Sequence, residues 1–550
     1  MAVAAAALVL LLTACAGLPS SGSVYPGRSP VDVQADPDFR FVPDSPQPGA
    51  SPEDIVNGFI RAGSGPQDSW ATAREFLAGS FAREWNPLTT VTVDRLQDRS
   101  EPSTPVDGVS LVRITPTGIV DAEGAYLPQG GAPSTLSFTL EEENGEWRIS
   151  DGPDGIVLFE EQFRSVFSSV ELMYFDPSWQ FLVPDVRWFP RTNIAAYVAG
   201  ALIDGAPSPW LAGSVVTAFP ENVETATRAV PVTDGVAQVD LTGTALSLGQ
   251  NVLDRMQAQL DQSLRSANVT GVQMTAEGSP LTARAASTRS TRVDPQSLVE
   301  TAEGRFGFLN GEELEAVPGL SPGIESVDAV SVEVSGDLES AAVLTAAGAV
   351  VRVGADETTA LLDERAGLLP PSIDPFGFVW SVPGGDPTAV RAFPPTGAGV
   401  PVETAWPAAT AVSAMRVSRD GARVAAAVTV RGHTELWVAG VLRAAEGASI
   451  ALGEPHLVAV IAGESAGLAW LDDTTLGLLV RIGDEVSLRE QPVGGPGTEL
   501  TIPAGVSSVA GGNSSARLLA GSGVLYVRQG PTWQELAPDI RILAGQQGMP

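Results

Sequence analysis

The chain has 550 residues, 65 acidic against 32 basic side chains and a net charge of −33, and every basic residue is arginine. Charge of that sign opposes binding to nucleic acid, whose phosphates need Lys and Arg neutralisation, and disfavours lying flat on anionic lipid. One cysteine, two histidines and no lysine exclude disulfides, Schiff-base catalysis and Walker-type phosphate loops, and leave too few ligands for a metal cluster built on histidine or thiolate. The length implies several domains of roughly 100–200 residues each.

The apolar run from Ala2 to Ala14 is too short to span a bilayer, which takes roughly 20 residues. It ends in Leu12-Thr13-Ala14-Cys15, small residues directly before the only cysteine. That pattern resembles the lipobox of a bacterial lipoprotein signal. The resemblance implies that residues 1–14 are removed as a signal peptide, that Cys15 is the lipid-attachment residue with diacylglycerol on its sulfur, and that the new amino terminus is acylated. Two or three acyl chains hold a protein on a membrane where one would not. The first charged side chain is Arg28, so a short basic start is expected upstream of Met1. Residues 15–50, with seven prolines from Pro19 to Pro48, read as an extended tether. Everything beyond Cys15 is expected outside the cytoplasm.

A first globular domain is expected over residues 51–165. Ser51-Pro52-Glu53-Asp54 supplies an N-cap, a proline at the first helical position and acids where the helix dipole favours them. Ile55 with Phe59, and Val56 with Ile60, then recur at helical spacing. A second helix is predicted with Trp70, Leu77, Phe81 and Trp85 on one face. Leu136, Phe138 and Leu140 alternate with polar residues up to Asn144-Gly145, and Trp147 and Ile149 continue beyond it, which predicts a hairpin. Two helices followed by a curved antiparallel sheet resemble a small NTF2-like or cystatin-like α+β domain.

A second α+β domain is expected over residues 166–285. It contains a helix from Asn193 to Ile203, a hairpin with Val230 and Val232 before Asp234-Gly235 and Val236, Val239 and Leu241 after it, and a helix with a core stripe of Leu253, Met256, Leu260 and Leu264. A closing strand runs from Val269 through Met274. The hairpin, the Gln-rich helix and the closing strand resemble the GerMN domain of spore-germination lipoproteins.

Over residues 300–550 helical periodicity gives way to short alternating strands. Ser331–Ser335, Ser372–Pro375, Arg416–Ser418, Ala469–Leu471 and Val509–Gly511 recur at about 40–53 residues, a period that predicts propeller blades. The clearest unit runs from Met415 through the Asp420-Gly421 turn to Val438. Five units are counted, and Phe306–Val317 supplies strands for another; two packed sheets are the competing architecture.

No catalytic, cofactor or metal site is assigned. Gly463-Glu-Ser465-Ala-Gly467 matches a nucleophile elbow, but that elbow needs a helix directly after it and a histidine later in the chain. Leu468–Leu471 reads as a strand, and His433 and His456 both precede Ser465. Glu141–Glu143 and Asp472-Asp473 read as solvated runs. His433 is placed in a β-turn and His456 at a strand entry, neither in a chemical role.

The order of lipobox, tether, NTF2-like domain, GerMN domain and propeller resembles the actinobacterial LpqB family of lipoproteins. The specific stretches are Gly145-Glu-Trp-Arg-Ile149, Asp151-Gly-Pro-Asp-Gly155, Phe181-Leu-Val-Pro-Asp185 and the hairpin through Asp234-Gly235. The resemblance implies a non-catalytic accessory of a two-component system, contacting the extracellular part of an MtrB-like sensor kinase and affecting cell-wall growth and division. A receptor for wall glycan or peptide is the alternative.

Overall fold

The computed structural model describes residues 43–106, 108–311, 313–444 and 449–549; Cys15, the signal segment and the tether up to residue 42 lie outside them. The first domain opens with α1 (Pro52–Ala62), capped as expected: the Asp54 N–H donates to Ser51 Oγ (3.2 Å) and the Ser51 N–H to Asp54 Oδ2 (3.3 Å). Ile55, Val56, Phe59 and Ile60 are buried. The predicted second helix is not continuous. Asp68, Ser69 and Trp70 all have φ near +50 to +60°, and only single turns form, at Ala71–Arg74 and Phe81–Glu84. Between those turns the Ala78 N–H donates to Ile149 O (2.7 Å) and the Ile149 N–H to Phe76 O (2.9 Å). Those peptide groups are committed to a strand and cannot complete a helical ladder. Trp70, Leu77 and Trp85 are buried all the same, and Phe81 is half-buried.

Two sheets follow, where a single antiparallel one was expected. β1 (Val91–Asp94) pairs antiparallel with β4 (Pro116–Val120) and parallel with β8 (Ile156–Phe159), and β5 (Tyr126–Pro128) flanks β4. β2 (Ser103–Val106), β3 (Val109–Ile114), β6 (Ser134–Glu143) and β7 (Glu146–Asp151) make the second sheet, all antiparallel. The β6–β7 turn is Asn144-Gly145 with φ of 56° and 81°, the two left-handed residues that a tight hairpin needs. The crossing from β7 back to β8 passes through Gly155, at φ 94°, where an added Cβ would lie 2.0 Å from Thr90 O. Only glycine lets the chain turn there to reach β1.

The second domain starts with a long hairpin of β9 (Phe167–Phe175) and β10 (Leu182–Pro190). After α2 (Ile194–Ile203) come β11 (Val232–Thr233), β12 (Val236–Leu241), α3 (Gln250–Arg265), β13 (Gly271–Ala276) and β14 (Ser279–Pro280). β12 and β13 pair in parallel, Val239 opposite Met274, with α3 as the crossover. Met256, Leu260 and Leu264 are fully buried and Leu253 nearly so, so the predicted stripe is core. A second stripe on α3 does something different. Gln259 Nε2 donates to Met173 O (2.7 Å), while Ser263 Oγ and Ser266 Oγ accept from the Met173 and Glu171 N–H groups (2.8 and 3.3 Å). Helix side chains thereby pair the free edge of β9, which would otherwise present open backbone groups.

Beyond residue 296 the chain forms a propeller of six blades. The inner strands of blades two to six are Ala329–Val334, Ser372–Ile373, Ala411–Val417, Glu464–Trp470 and Val506–Gly511, which are the five recurring units read from the sequence. Asp420 shows why the turn after an inner strand repeats. It accepts from Ser418 Oγ (2.6 Å) and the Ala422 N–H (2.8 Å), and pairs with the buried Arg423, while Gly421 takes φ 71°. Asp337 accepts from Ser335 Oγ (2.6 Å) in the same way.

Blade one has a mixed origin. Its outer strands are Ser297–Thr301, Phe306–Asn310 and Glu313–Glu315, but its inner strand is Ile540–Leu543 from the far end of the chain, with Val299 opposite Leu543. The ring is therefore closed by chain ends in one sheet, an arrangement that two packed sheets would not produce.

Gln259 tests the edge pairing on β9. Gln259→Leu keeps the volume but leaves Met173 O and the Ala218 N–H, which bonds Gln259 Oε1, without partners. Each buried orphan costs about 1–3 kcal/mol, so a loss of about 2–6 kcal/mol is expected in denaturant titration. The neighbouring Met256→Leu should cost under about 1.5 kcal/mol. Equal losses for the two variants would rule out the polar pairing as the source.

Candidate functional site

Strand β10 is where the domains meet. Its odd-numbered side chains Val183, Asp185 and Arg187 are buried, in a stretch otherwise apolar. Asp185 Oδ2 accepts from Arg187 Nη2 (2.9 Å) and from the Ser208 N–H (2.8 Å), and Asp185 Oδ1 from Ser208 Oγ (2.7 Å). Arg187 Nη1 donates to Glu123 O of the first domain (2.8 Å). Asp185 and the bonds it makes hold the guanidinium of Arg187 above its ordinary range, against burial, which alone pulls it down. The next residue, Trp188, donates from Nε1 to Gly494 O in propeller blade five (2.8 Å) and packs against Phe163 with ring centres 4.6 Å apart and planes tilted by 40°. Phe181 at the strand's entrance packs edge-on against Phe376 of blade three (5.9 Å) with Arg289 over its other side. The Phe181-Leu-Val-Pro-Asp185 stretch is thus an interdomain joint.

Beside that joint a cleft of about 620 Å³ opens between α2 and the Ala122-Glu123 loop. Its wall is the parallel stack of Phe189 and Tyr197, 5.7 Å apart with 12° between planes. Asn193, Asp204, Thr225 and Arg228 supply a polar rim. Burial pushes the Tyr197 hydroxyl above its usual range, so it stays a hydrogen-bond donor at neutral pH. An aromatic plate with a few polar groups around it accepts a flat, partly apolar ligand face. Nothing in the sequence marks this cleft, since Phe189 and Tyr197 belong to different elements.

The residues weighed for chemistry do not converge. Ser465 sits in the inner strand of blade five, paired to Val480, with no helix after it. His456 opens the last strand of blade four and stacks on Trp210 (5.6 Å, 18°), and burial pulls its pKa below the ordinary 6.5 against the charge of Asp185. His433 is exposed and begins a strand; the turn is Arg431-Gly432 just before it, both with positive φ. Asp472 accepts from the Thr474 and Thr475 N–H groups, and Asp473 from Thr291 Oγ1 (2.7 Å). Glu141 and Glu142 are exposed. Among the described residues no three His, Cys, Asp or Glu side chains are placed to hold a metal ion, and no helix is long and apolar enough to cross a membrane.

Comparison with known families matches three consecutive segments: the N-terminal domain of lipoprotein LpqB at residues 45–164, a sporulation and spore-germination domain at 171–282, and the LpqB β-propeller domain at 296–542. The chain belongs to the LpqB lipoprotein family. Lipoprotein LpqB of Streptomyces avermitilis is 29% identical, over 96% of this chain and 95% of that one. The Streptomyces coelicolor and Rhodococcus opacus proteins of the same name are 28% and 27% identical, over 96% and 91% of this chain and 95% and 89% of theirs. As an LpqB-family protein the chain is a membrane-associated, extracytoplasmic lipoprotein with a non-catalytic accessory role. All three family segments, and the β10 joint that ties them, are thus accounted for in one molecule.

Two measurements probe the joint. Asp185→Asn leaves Arg187 buried without a counter-charge, and removing one partner of such a pair costs about 3–5 kcal/mol; a loss under about 1 kcal/mol in chemical denaturation would show the pair to be incidental. His456 has a depressed pKa in the folded state, so the stability it contributes is fully present above the unfolded value of 6.5 and is lost as pH falls from there toward the folded pKa. Thermal melts should therefore show a steeper fall in midpoint below pH 6.5 for the wild type than for His456→Gln.

Proposed function

We propose that this LpqB-family chain is held on the outer membrane surface of the cell through lipid on Cys15, and that it modulates a two-component sensor kinase of the MtrB type by binding the kinase's extracytoplasmic domain. The observation that carries this reading is the β10 joint. It ties three dissimilar domains together through Arg187 and Trp188, with no reactive centre among the described residues, which suits a protein that acts by presenting surface. A partner that favours one sensor conformation by about 1–3 kcal/mol is enough to shift signalling. Tethering both proteins to one membrane raises their effective concentration toward the millimolar range, so micromolar affinity suffices.

The test uses the full chain in detergent against the sensor's extracytoplasmic domain, read by surface plasmon resonance, together with phosphorylation of the cognate regulator in cells lacking the lipoprotein. Saturable binding and an altered phosphorylation level are expected. Ser465, His433 and His456 changed together to alanine should preserve both readouts, because none has a chemical role. Loss of both in a correctly folded triple variant would overturn the non-catalytic reading. Cys15→Ser should leave the protein at precursor size or outside the membrane fraction; a mature-sized, membrane-bound Cys15→Ser protein would remove lipid as the anchor.

The Phe189–Tyr197 cleft favours a second reading, a receptor for wall glycan or peptide. Tyr197→Ala should then abolish binding of soluble muropeptide fragments while leaving sensor binding intact.

A further inference from the structure

The propeller's inner strands enclose an axial cup of about 350 Å³, walled in part by Ser331, Leu468, Trp470 and Val509. One end is closed. The Gln547 N–H donates to Val334 O (3.0 Å), the Met549 N–H to Arg292 O (2.8 Å), and the Val293 N–H to Asn513 Oδ1 (2.9 Å), so the last residues of the chain and the linker before the propeller lie across it. The other end, where the inner strands begin, carries the exposed Val330 and Ser507 and is open.

The charge of this cup is opposite to that of the protein. A chain with twice as many acids as bases lines it with Arg416, Arg419 and Arg541 against a single carboxylate, Glu333. Arg541 is paired with Glu300 and Asp328. Glu333 is held by Ser372 Oγ (2.9 Å) and Gln547 Nε2 (2.8 Å), with Arg416 Nε at 3.8 Å. Arg419 has no carboxylate within ion-pair distance among the described residues, though the charges of Asp473, Asp472 and Glu333 reach it from farther off. It is 6% exposed, its Nη2 donates to the backbone oxygen of Trp470 (3.1 Å), and its Nε and Nη1 have no partner among the described residues. Arg416 Nη1 donates to Pro370 O and Met415 O, and its Nη2 has no partner among the described residues. Gln547, 4% exposed, has a buried Oε1 with no donor. Behind the wall, burial first and then the neighbouring charge of Arg419 push Arg517 down to about 10.

The idle N–H groups of Arg416 and Arg419 line the cup, and a planar guanidinium fork is the arrangement that grips an oxyanion best. We propose that the axial cup binds one small oxyanion, a carboxylate or a phosphate group, on the free N–H groups of Arg416 and Arg419, with Gln547 Oε1 accepting a hydrogen bond from a hydroxyl or amine of the same ligand. The cup admits a small molecule and excludes a folded partner, so this site is independent of sensor binding. It would make the propeller ligand-responsive.

Equilibrium dialysis of the full chain in detergent against radiolabelled inorganic phosphate, at fixed ionic strength, tests it. One saturable equivalent per chain is expected, displaced by lactate more readily than by acetate, which lacks the hydroxyl. Displacement by lactate at lower concentration than by unlabelled phosphate identifies a carboxylate ligand; the reverse order identifies a phosphate. Arg416→Gln and Arg419→Gln should each weaken binding at least about tenfold, and the exposed Arg164→Gln should leave it unchanged. Glu333→Gln removes the competing carboxylate and should tighten binding several-fold, a gain that a misfolded protein cannot produce. Absence of saturable binding by both anions, or binding that none of the three cup variants alters, overturns the proposal.

Discussion

Strand β10 ties the domains together, and the placement of the first against the second depends on one buried ion pair in it. Asp185 and Arg187 stand two residues apart on β10, so both point to the same face of a strand whose neighbours are apolar. Each takes its remaining hydrogen bonds from a different segment, Arg187 from the Glu123 carbonyl and Asp185 from Ser208. Isolated, either charge would be prohibitively expensive at that depth. Together they specify which loop of the first domain meets which loop of the second. Trp188 adds the third contact by reaching the Gly494 carbonyl. Purely apolar contact would tolerate sliding; donors and acceptors at fixed positions do not.

Much of the fold was legible where local chemistry decides it. Asn144-Gly145 and Asp234-Gly235 each need two left-handed residues and take them. The α3 stripe is core because its spacing matches the helix period. Four of the five inner propeller strands read from the sequence are followed by a turn organised by an aspartate, Asp337, Asp374, Asp420 or Asp472. The failures are non-local. Trp70, Leu77, Phe81 and Trp85 do line one core, but Ile149, far along the chain, takes the backbone groups a helix there would have used. The parallel β1–β8 pair hinges on Gly155, whose meaning appears only with Thr90 opposite. The sixth inner strand carries no repeat signal, since its partners lie at the other end of the propeller. The Phe189–Tyr197 cleft was equally invisible from a sequence in which those rings follow no shared period.

The all-arginine composition has a structural use. Arg352 donates to the backbone oxygens of Pro394, Pro395, Gly377 and Phe393, and Arg74 to those of Ser69, Ala82 and Trp85. Arg517 does the same for Asp294 and Pro295. Loop and strand ends leave carbonyls that no helix or sheet ladder uses. A guanidinium offers five donors in a plane, against three on an ammonium, so one arginine closes a cluster of such ends. Four of the arginines used in this way, Arg187, Arg419, Arg423 and Arg517, are themselves buried.

The mixed parentage of blade one also governs time. Arg541 meets Glu300 across 241 residues, and bringing such distant points together carries a loop-closure cost of about 5 kcal/mol before any contact rewards it. Non-local pairing of this kind slows folding. Ile540–Leu543 follow all the other blades in chain order, so five blades exist as an open arc while the ring waits for its final strand. During that interval the strand Ser297–Thr301 presents an unpaired edge, which makes the nascent molecule most vulnerable to misassembly while the ring is open.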